Sequence, residues 1–408
     1  MRIAIFTHPP FMNSQSMPRF ARMLEEAYTA RGHTVSLHSA VPVMRRWITH
    51  PKLAKWAGYV DQYLLFPRAF RKTLRTLPPD TLFVFCDQAL GPWCPLVADR
   101  PHVVHAHDLL ALRSALGDIP ENPTSATGKA YQRYIRQGFQ QARRFIAISR
   151  RTQDDLIRFA GIPRERISVV YNDLNHRFAP MPDGEARAVL TRANLPADKG
   201  SMLLHVGGGQ WYKNRVGIVS LYAAYARRCA QAGTAPLPLL MVGPPPSGAA
   251  LQAALASVPA GAHVIFRQGL DQPTLVAAYT QAAAFLFPSL AEGFGWPIVE
   301  AQACGTLTLT TDEAPMSEVG GPSAFYVPRL PYGASVGPWA ETAAETLIGM
   351  LALSGAEREH RVQQAQAWAS QFNTGAAIEG YLGVYMDVLR EAGYRDNAVS
   401  PDGAIKPC

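Results

Sequence analysis

Long apolar runs are absent from this 408-residue chain; none approaches the ~18 residues that a membrane-crossing helix needs. The opening Met1-Arg2-Ile3-Ala4-Ile5-Phe6 turns polar too soon for a signal peptide, so the expected location is the cytoplasm. Cysteine is scarce. Cys86, Cys94, Cys229, Cys304 and Cys408 form an odd, scattered set without CxxC or Cys/His ligand spacing, which points to reduced thiols and no structural zinc. There is no Asp-x-Asp, no repeat of solenoid length and no long low-complexity linker. The length is too great for one ordinary core, and with 48% apolar residues it suits two soluble domains.

Charge is present but unevenly placed. The net +8 divides at the Pro180-Met181-Pro182 break: residues 1–180 hold 25 Lys and Arg against 13 Asp and Glu, and residues 181–408 hold 14 against 18. Residues 43–75 contain Arg45, Arg46, Lys52, Lys55, Arg68, Arg71, Lys72 and Arg75 against one acid, Asp61, with Trp47, Trp56, Tyr59, Tyr63, Phe66 and Phe70 interleaved. Cations meeting headgroups and rings lying at the interface suit an anionic membrane surface. The plainer alternative is a solvated helical face whose aromatics pack inward. No RNA- or DNA-binding motif accompanies the patch, so nucleic acid is not the expected partner.

Apolar runs alternate with amphipathic segments along most of the chain. Arg2 to Thr7 reads as a buried strand, Pro18 to Arg31 as a helix and Thr34 to His38 as a second strand; Thr81 to Cys86, His102 to Ala106 and Arg143 to Ile148 follow as strands. The alternation restarts after residue 180 with Met202 to Val206, Leu237 to Val242, His263 to Phe266, Ala284 to Phe287 and Thr306 to Thr310. Strands separated by helices imply parallel, doubly wound sheets, whose ligands lie beyond the carboxyl ends of the strands. The expected layout is a first Rossmann-like domain over 1–180, a second over 181–375, a helix over 376–395 that packs back on the first, and a frayed tail, 396–408.

The strongest motif is Glu292-Gly293-Phe294-Gly295-Trp296-Pro297-Ile298-Val299-Glu300, between a strand and a helix. Pro297 fits the first helical turn, where its missing N–H costs nothing, and the glycines free backbone N–H groups to face one anion at the helix N-terminus. Two carboxylates flank that anion site and can accept hydrogen bonds from sugar hydroxyls. A capped helix with a solvated Glu is the structural alternative.

Glu292 and Glu300, with seven residues between them and Ala301-Gln302-Ala303-Cys304-Gly305 following, resemble the E-x7-E signature of glycosyltransferase family four. The resemblance implies the GT-B fold: two Rossmann-like domains facing each other across a cleft. It assigns Glu292 to the donor sugar and Glu300 to the ribose, with Gly293, Phe294 and Gly295 at the diphosphate. Leu204-His205-Val206-Gly207-Gly208-Gly209-Gln210-Trp211-Tyr212-Lys213-Asn214-Arg215 resembles the family's first strand-loop of the nucleotide domain, placing Gly208, Gly209 and Lys213 at the phosphates. Many members carry an Arg where this chain has Gly208, which leaves Arg215 or Arg267 to supply a second cation. The segment Phe266-Arg267-Gln268-Gly269-Leu270 resembles the base-contacting loop, with the backbone near Leu270 meeting the nucleobase.

His105-Ala106-His107-Asp108-Leu109 resembles the family's cleft histidine motif, so His107 is expected to face the reacting sugar, and Asp108 either to orient His107 or to act as base on the acceptor hydroxyl. Ser14, Gln15 and Ser16 stand where many members have a Gly-Gly pair and are the acceptor-pocket candidates. The family activity is transfer of a hexose, such as mannose or glucose, from a nucleotide diphosphate sugar to a glycan or lipid-linked acceptor, with retention, in surface polysaccharide or glycolipid synthesis. The missing Asp-x-Asp argues against the divalent-metal strategy of the other major glycosyltransferase fold, so no metal and no cofactor are expected. With the basic stretch, this implies a peripheral enzyme on the inner face of the cell membrane. A sugar-nucleotide epimerase or phosphorylase of the same fold, or a silent sugar-nucleotide-binding subunit, are the competing functions.

Overall fold

The computed structural model describes residues 1–12, 16–174, 178–372 and 375–394. Ser14, Gln15 and the tail 396–408 therefore lie outside the described residues. The first sheet contains β1 (Arg2–Phe6), β2 (Thr34–His38), β3 (Leu82–Phe85), β4 (His102–Ala106), β5 (Arg144–Ala147) and β6 (Ile167–Val169), in the order β2-β1-β3-β4-β5-β6. The second contains β7 (Leu203–Val206), β8 (Leu239–Val242), β9 (Val264–Arg267), β10 (Ala284–Phe287), β11 (Thr308–Thr311) and β12 (Phe325–Val327), in the order β12-β11-β10-β7-β8-β9. Every pairing is parallel, which explains why the strands read as unbroken apolar runs: helices cover both faces of each sheet.

Strand order reverses at one place in each sheet. In the first, β1 pairs with both β2 and β3; in the second, β7 pairs with both β8 and β10. Chain leaving neighbouring strands in opposite directions opens a crevice at such a point. The loops after β7 and β10 therefore adjoin, although about 80 residues separate them in sequence.

The helix Ala376–Glu391 crosses to the first sheet, burying Ala377, Ile378, Tyr381, Leu382, Tyr385 and Val388 with Ile3, Ile5, Leu24, Leu82, Val84 and Ile146. Asp173 caps its start by accepting from Gly375 N (2.7 Å) and Ala377 N (3.0 Å), and Tyr385 shares a 2.8 Å hydrogen bond with His105 of β4.

The basic aromatic stretch is helical, from Pro51–Val60 through a single π-turn, Asp61–Leu65, into Phe66–Leu74. Pro67 has no N–H to give the preceding turn, and the carbonyl of Gln62 takes Trp93 Nε1–H instead (2.9 Å). Its rings divide into two sets. Phe66 and Phe70 pack on Phe6, while Tyr63 bonds Tyr131. Trp47 and Trp56 are 75% and 62% exposed. The inward-packing alternative thus describes only part of the aromatic set.

Candidate active site

A cleft of about 580 Å³ lies between the two sheets, lined from the first by Ser16, His107 and Asp108 and from the second by Gly207, Gly208, Lys213, Glu292 to Gly295 and Glu300. Its second-domain wall sits at the β7/β10 reversal. Two ties to backbone carbonyls fix the loops to each other: Leu290 N donates to Tyr212 O (2.7 Å) and Asn214 Nδ2 to Pro288 O (2.9 Å). Asn214 adopts a left-handed φ of 51° and caps the helix Arg215–Gln231, which turns the preceding Lys213 toward the cleft. Lys213 Nζ reaches Glu292 Oε1 at 2.7 Å and stands 4.7 Å over the Phe287 ring. Both side chains are mostly buried, at 13% and 8% exposed, and they neutralise each other.

Glu300 lies in the helix Trp296–Ala303, where Tyr279 Oη donates to its Oε2 at 2.7 Å. Burial pushes this carboxyl up to about 7, against the opposing pulls of the Tyr279 hydrogen bond and Lys213. Gly295 reaches the helix start with φ of 106°, a conformation that a side chain at that position would resist. Phe294 lends its backbone to the cleft; its ring is buried against Phe372 and Trp296.

On the facing wall, His107 Nε2 lies 2.9 Å from Cys86 O. A carbonyl only accepts, so Nε2 carries the hydrogen, and Nδ1 is a buried acceptor without a hydrogen-bond partner among the described residues. Burial holds the imidazole below its usual range and therefore neutral near pH 7. The Asp108 carboxylate does not orient this ring. Its Oδ1 accepts from Leu110 N (2.9 Å), and burial raises it to about 6.

Arg215 and Arg267, the candidates for a second cation, do not line the cleft. Arg215 donates to Pro244 O (2.7 Å) beneath the Phe266 ring, and Arg267 to Phe266 O and Asn194 O (3.0 and 3.4 Å). Backbone carbonyls take up N–H groups of both guanidinium groups, and of the described residues that line this cleft Lys213 is the one Lys or Arg; Arg113, Arg151 and Arg329 line an adjoining pocket that shares Glu292. Gly209 sits beside Pro244 and Leu270 packs into the apolar core under this sheet, while Leu275 lines the cleft in their vicinity. Ser16 is exposed at the rim.

Several residues at the site carried no recognisable signal in the sequence. His8 and Asp87, each just past the end of a strand at the first sheet's own reversal, share a 2.8 Å hydrogen bond. Burial would raise Asp87, but His8 and the nearby His107 hold it below the usual carboxylate range. Tyr279 stands 21 residues before the Glu300 that it contacts. Glu318 accepts from Arg150 N and Arg151 N (both 2.8 Å) and so caps a first-domain helix from the second domain.

The domains also touch at Gly293, whose carbonyl accepts from Ser149 Oγ (2.9 Å). A Cβ here would lie 2.2 Å from His107 O, a backbone atom that cannot give way. Gly293→Ala is therefore expected to hold the domains apart, with a larger radius of gyration by small-angle scattering and turnover lower by about a hundredfold, because an ångström of misplacement costs that much. Unchanged scattering and turnover would show that this contact does not govern closure.

The same architecture recurs in known proteins. The family model described as Glycosyltransferase Family 4 matches residues 17–176, and that described as Glycosyl transferases group 1 matches residues 189–366. The D-inositol 3-phosphate glycosyltransferase of Mycolicibacterium smegmatis is 30% identical over 314 residues, covering 72% of this chain and 64% of that protein's length. Among solved structures, the sucrose-phosphate synthase of Thermosynechococcus elongatus superposes with a TM-score of 0.70 at 18% identity, covering 96% of this chain and all of that one (100%). WaaG, a glycosyltransferase involved in lipopolysaccharide biosynthesis, gives 0.65 at 14% identity, covering 94% of this chain and 99% of its own. At these identities the two structures speak for the fold alone.

Proposed function

Given that the chain belongs to the glycosyltransferases of family 4, group 1, with their two-domain α/β fold, we propose that it transfers a hexose from a nucleotide diphosphate sugar to a glycan or lipid-linked acceptor, with retention and without a metal ion. The observation that carries this reading is the Lys213–Glu292 pair beside Glu300 on one wall of a cleft whose other wall presents His107. Breaking the sugar–phosphate bond leaves positive charge on the sugar and negative charge on the departing diphosphate, so the catalyst's main task is to stabilise the diphosphate. Lys213, the amides of Gly293 to Gly295 and the N-terminus of the Trp296–Ala303 helix supply that stabilisation. Glu292, released from Lys213, accepts a sugar hydroxyl; Glu300 accepts the ribose hydroxyls; the unpartnered Nδ1 of His107 accepts another hydroxyl of the transferred sugar. Metal independence rests on the absent Asp-x-Asp.

A thermal-shift screen of UDP-, GDP- and ADP-sugars with and without EDTA tests this, since a ligand of the native state raises its stability. One donor should shift the transition in either condition, and release its nucleoside diphosphate only when acceptor is added. A strict need for Mg2+ or Mn2+ would overturn the metal-free reading; conversion of the donor without acceptor would indicate an epimerase, and binding without turnover a silent subunit.

The membrane is the proposed second partner. Asp61, the one acid within 43–75, is 1% exposed and accepts from Met44 N (2.7 Å) and Arg45 N (3.0 Å), so the outer face keeps its cations without it. Among the described residues no acid pairs with Arg45, Arg46, Lys55, Arg68, Arg71, Lys72 or Arg75, and Leu53, Trp47 and Trp56 stand exposed beside them. No helix of the described residues is long and apolar enough to cross a membrane. Co-sedimentation with vesicles should rise with anionic lipid content and fall by at least about tenfold on charge reversal at Arg68, Arg71, Lys72 and Arg75, each worth ~1 kcal/mol near such a surface. Binding that ignores both would remove the membrane from the proposal.

A further inference from the structure

Within the basic face lies a second, smaller cavity of about 190 Å³, separate from the donor cleft. Phe11 and Met12 form one side, the buried Ala54 and Gly58 its floor, and Arg45 and Lys55 bring two cations to it. The inward-turned Asp61 sets the position of Arg45 by holding its backbone N–H, and the Lys55 ammonium stands 5.9 Å over the Tyr59 ring. No carboxylate lines the cavity, and among the described residues none pairs with either cation. Its walls are thus apolar, while its charge is positive and uncompensated. The space corresponds to roughly six waters at ~30 Å³ each, enough for a phosphate and part of its alcohol.

Trp47, Leu53 and Trp56, at 75%, 57% and 62% exposed, stand on the same basic stretch outside the lining; Trp47 follows Arg45 by two residues, and the Trp56 ring meets that of the lining Tyr59 at 5.7 Å. Amphipathic rings and aliphatic groups placed so favour the boundary between headgroups and acyl chains. An anion entering from that boundary meets Arg45 and Lys55 with its chains still among the tryptophans. We propose that the cavity seats the phosphate of a single anionic membrane phospholipid, which pins the first domain to the bilayer in one orientation; this rests on the membrane reading above. Cleft residues Ser16 and Met17 follow Phe11 and Met12 closely in the chain, so the pinned lipid would set the acceptor side of the cleft near the bilayer surface.

Gly58 separates this proposal from general electrostatics. A Cβ there would meet Phe11 Cε2 at 3.2 Å and Arg45 Cδ at 3.5 Å, so Gly58→Leu fills the cavity and changes no charge. The test titrates the full chain with dihexanoyl phosphatidylglycerol below its micelle concentration, with dihexanoyl phosphatidylcholine and glycerol 3-phosphate as comparisons, and measures anionic-vesicle binding in parallel. Wild type should bind the anionic lipid at one saturable site, more tightly than either comparison. Gly58→Leu and Lys55→Gln should each weaken that site by at least about tenfold, the scale of one charge-assisted contact, while Gly58→Leu still binds anionic vesicles. Lys55→Gln, a surface change, decides the matter if Gly58→Leu fails to fold.

Vesicle binding without saturable lipid binding would overturn the cavity and leave the membrane reading standing. Loss of vesicle binding in wild type would remove both. Equal affinity for glycerol 3-phosphate would make the ligand a free phosphate ester, and a dimer abolished by Trp56→Ala would give the face to a second copy of the chain; either overturns the lipid.

Discussion

Lys213→Ala should lower kcat/KM by about a thousandfold, the scale seen when a group that meets developing charge is removed. Lys213 is the one Lys or Arg among the described residues that line the cleft, and Arg215 and Arg267 turn to backbone carbonyls outside that lining. Its loss would also leave Glu292, 8% exposed, as an unpaired carboxylate facing the incoming diphosphate. Two effects therefore add: less stabilisation of the leaving group, and repulsion of the donor. The structural cost can be separated from the chemical one. Removing one partner of a buried pair costs up to about 3–5 kcal/mol, and less here because both side chains retain some contact with solvent. The double variant Lys213→Ala/Glu292→Gln should recover most of the lost thermal stability and none of the lost turnover. Steady-state kinetics and calorimetry on the three proteins decide it; turnover of Lys213→Ala within tenfold of wild type would take Lys213 out of the chemistry.

The second large effect concerns Glu300, whose replacement by glutamine should stabilise the donor-free protein while damaging donor binding. Its carboxyl is raised from 4.5 to about 7 by burial, so between those values the folded protein holds a proton that the unfolded chain has released. Stability is unaffected below pH 4.5, falls as pH rises through the window and is lowest above 7, by up to roughly 3 kcal/mol, because each tenfold change in proton affinity is worth about 1.36 kcal/mol. Glu300→Gln removes that slope and should be the more stable protein at pH 8. Ribose hydroxyls donate to a carboxylate, so binding favours the ionised form and releases a proton below pH 7. Wild-type donor affinity should thus climb with pH up to about 7, and titration calorimetry in buffers of different ionisation enthalpy should register the released proton. In Glu300→Gln that climb should disappear, because the group whose ionisation drives it is gone. A wild-type affinity flat between pH 5 and 8 would count against Glu300 as a ribose ligand.

How much of this could be read in advance differs from element to element. The motif from Glu292 to Glu300 was legible because its chemistry is local: glycines, a first-turn proline and two carboxylates a fixed distance apart on one loop and one helix. Lys213 was legible as a cation after a glycine turn. Its partner was not, since the pairing with Glu292 exists only because β7 and β10 are neighbours in the sheet. The same holds for His8 with Asp87 and for Tyr279 with Glu300. Nor did spacing tell where the Arg215 and Arg267 side chains go: the structure places them on backbone carbonyls outside the cleft lining, because which acceptor a guanidinium finds depends on the packing around it.

By itself, then, the sequence determined the alternation of buried strands and helices, the excess of positive charge in the first half and the glycine-rich loops with their flanking charges, because each follows from neighbours along the chain. Only the tertiary structure decided which of those groups meet. Parallel strands bring together residues far apart in sequence, so the Lys213–Glu292 pair and the opposing His107 come from strand order and from how the two sheets face each other. Burial, which raises Glu300 and Asp108 and keeps His107 neutral, is likewise a property of the packed molecule: desolvation depends on everything that surrounds a group, and local spacing does not encode it.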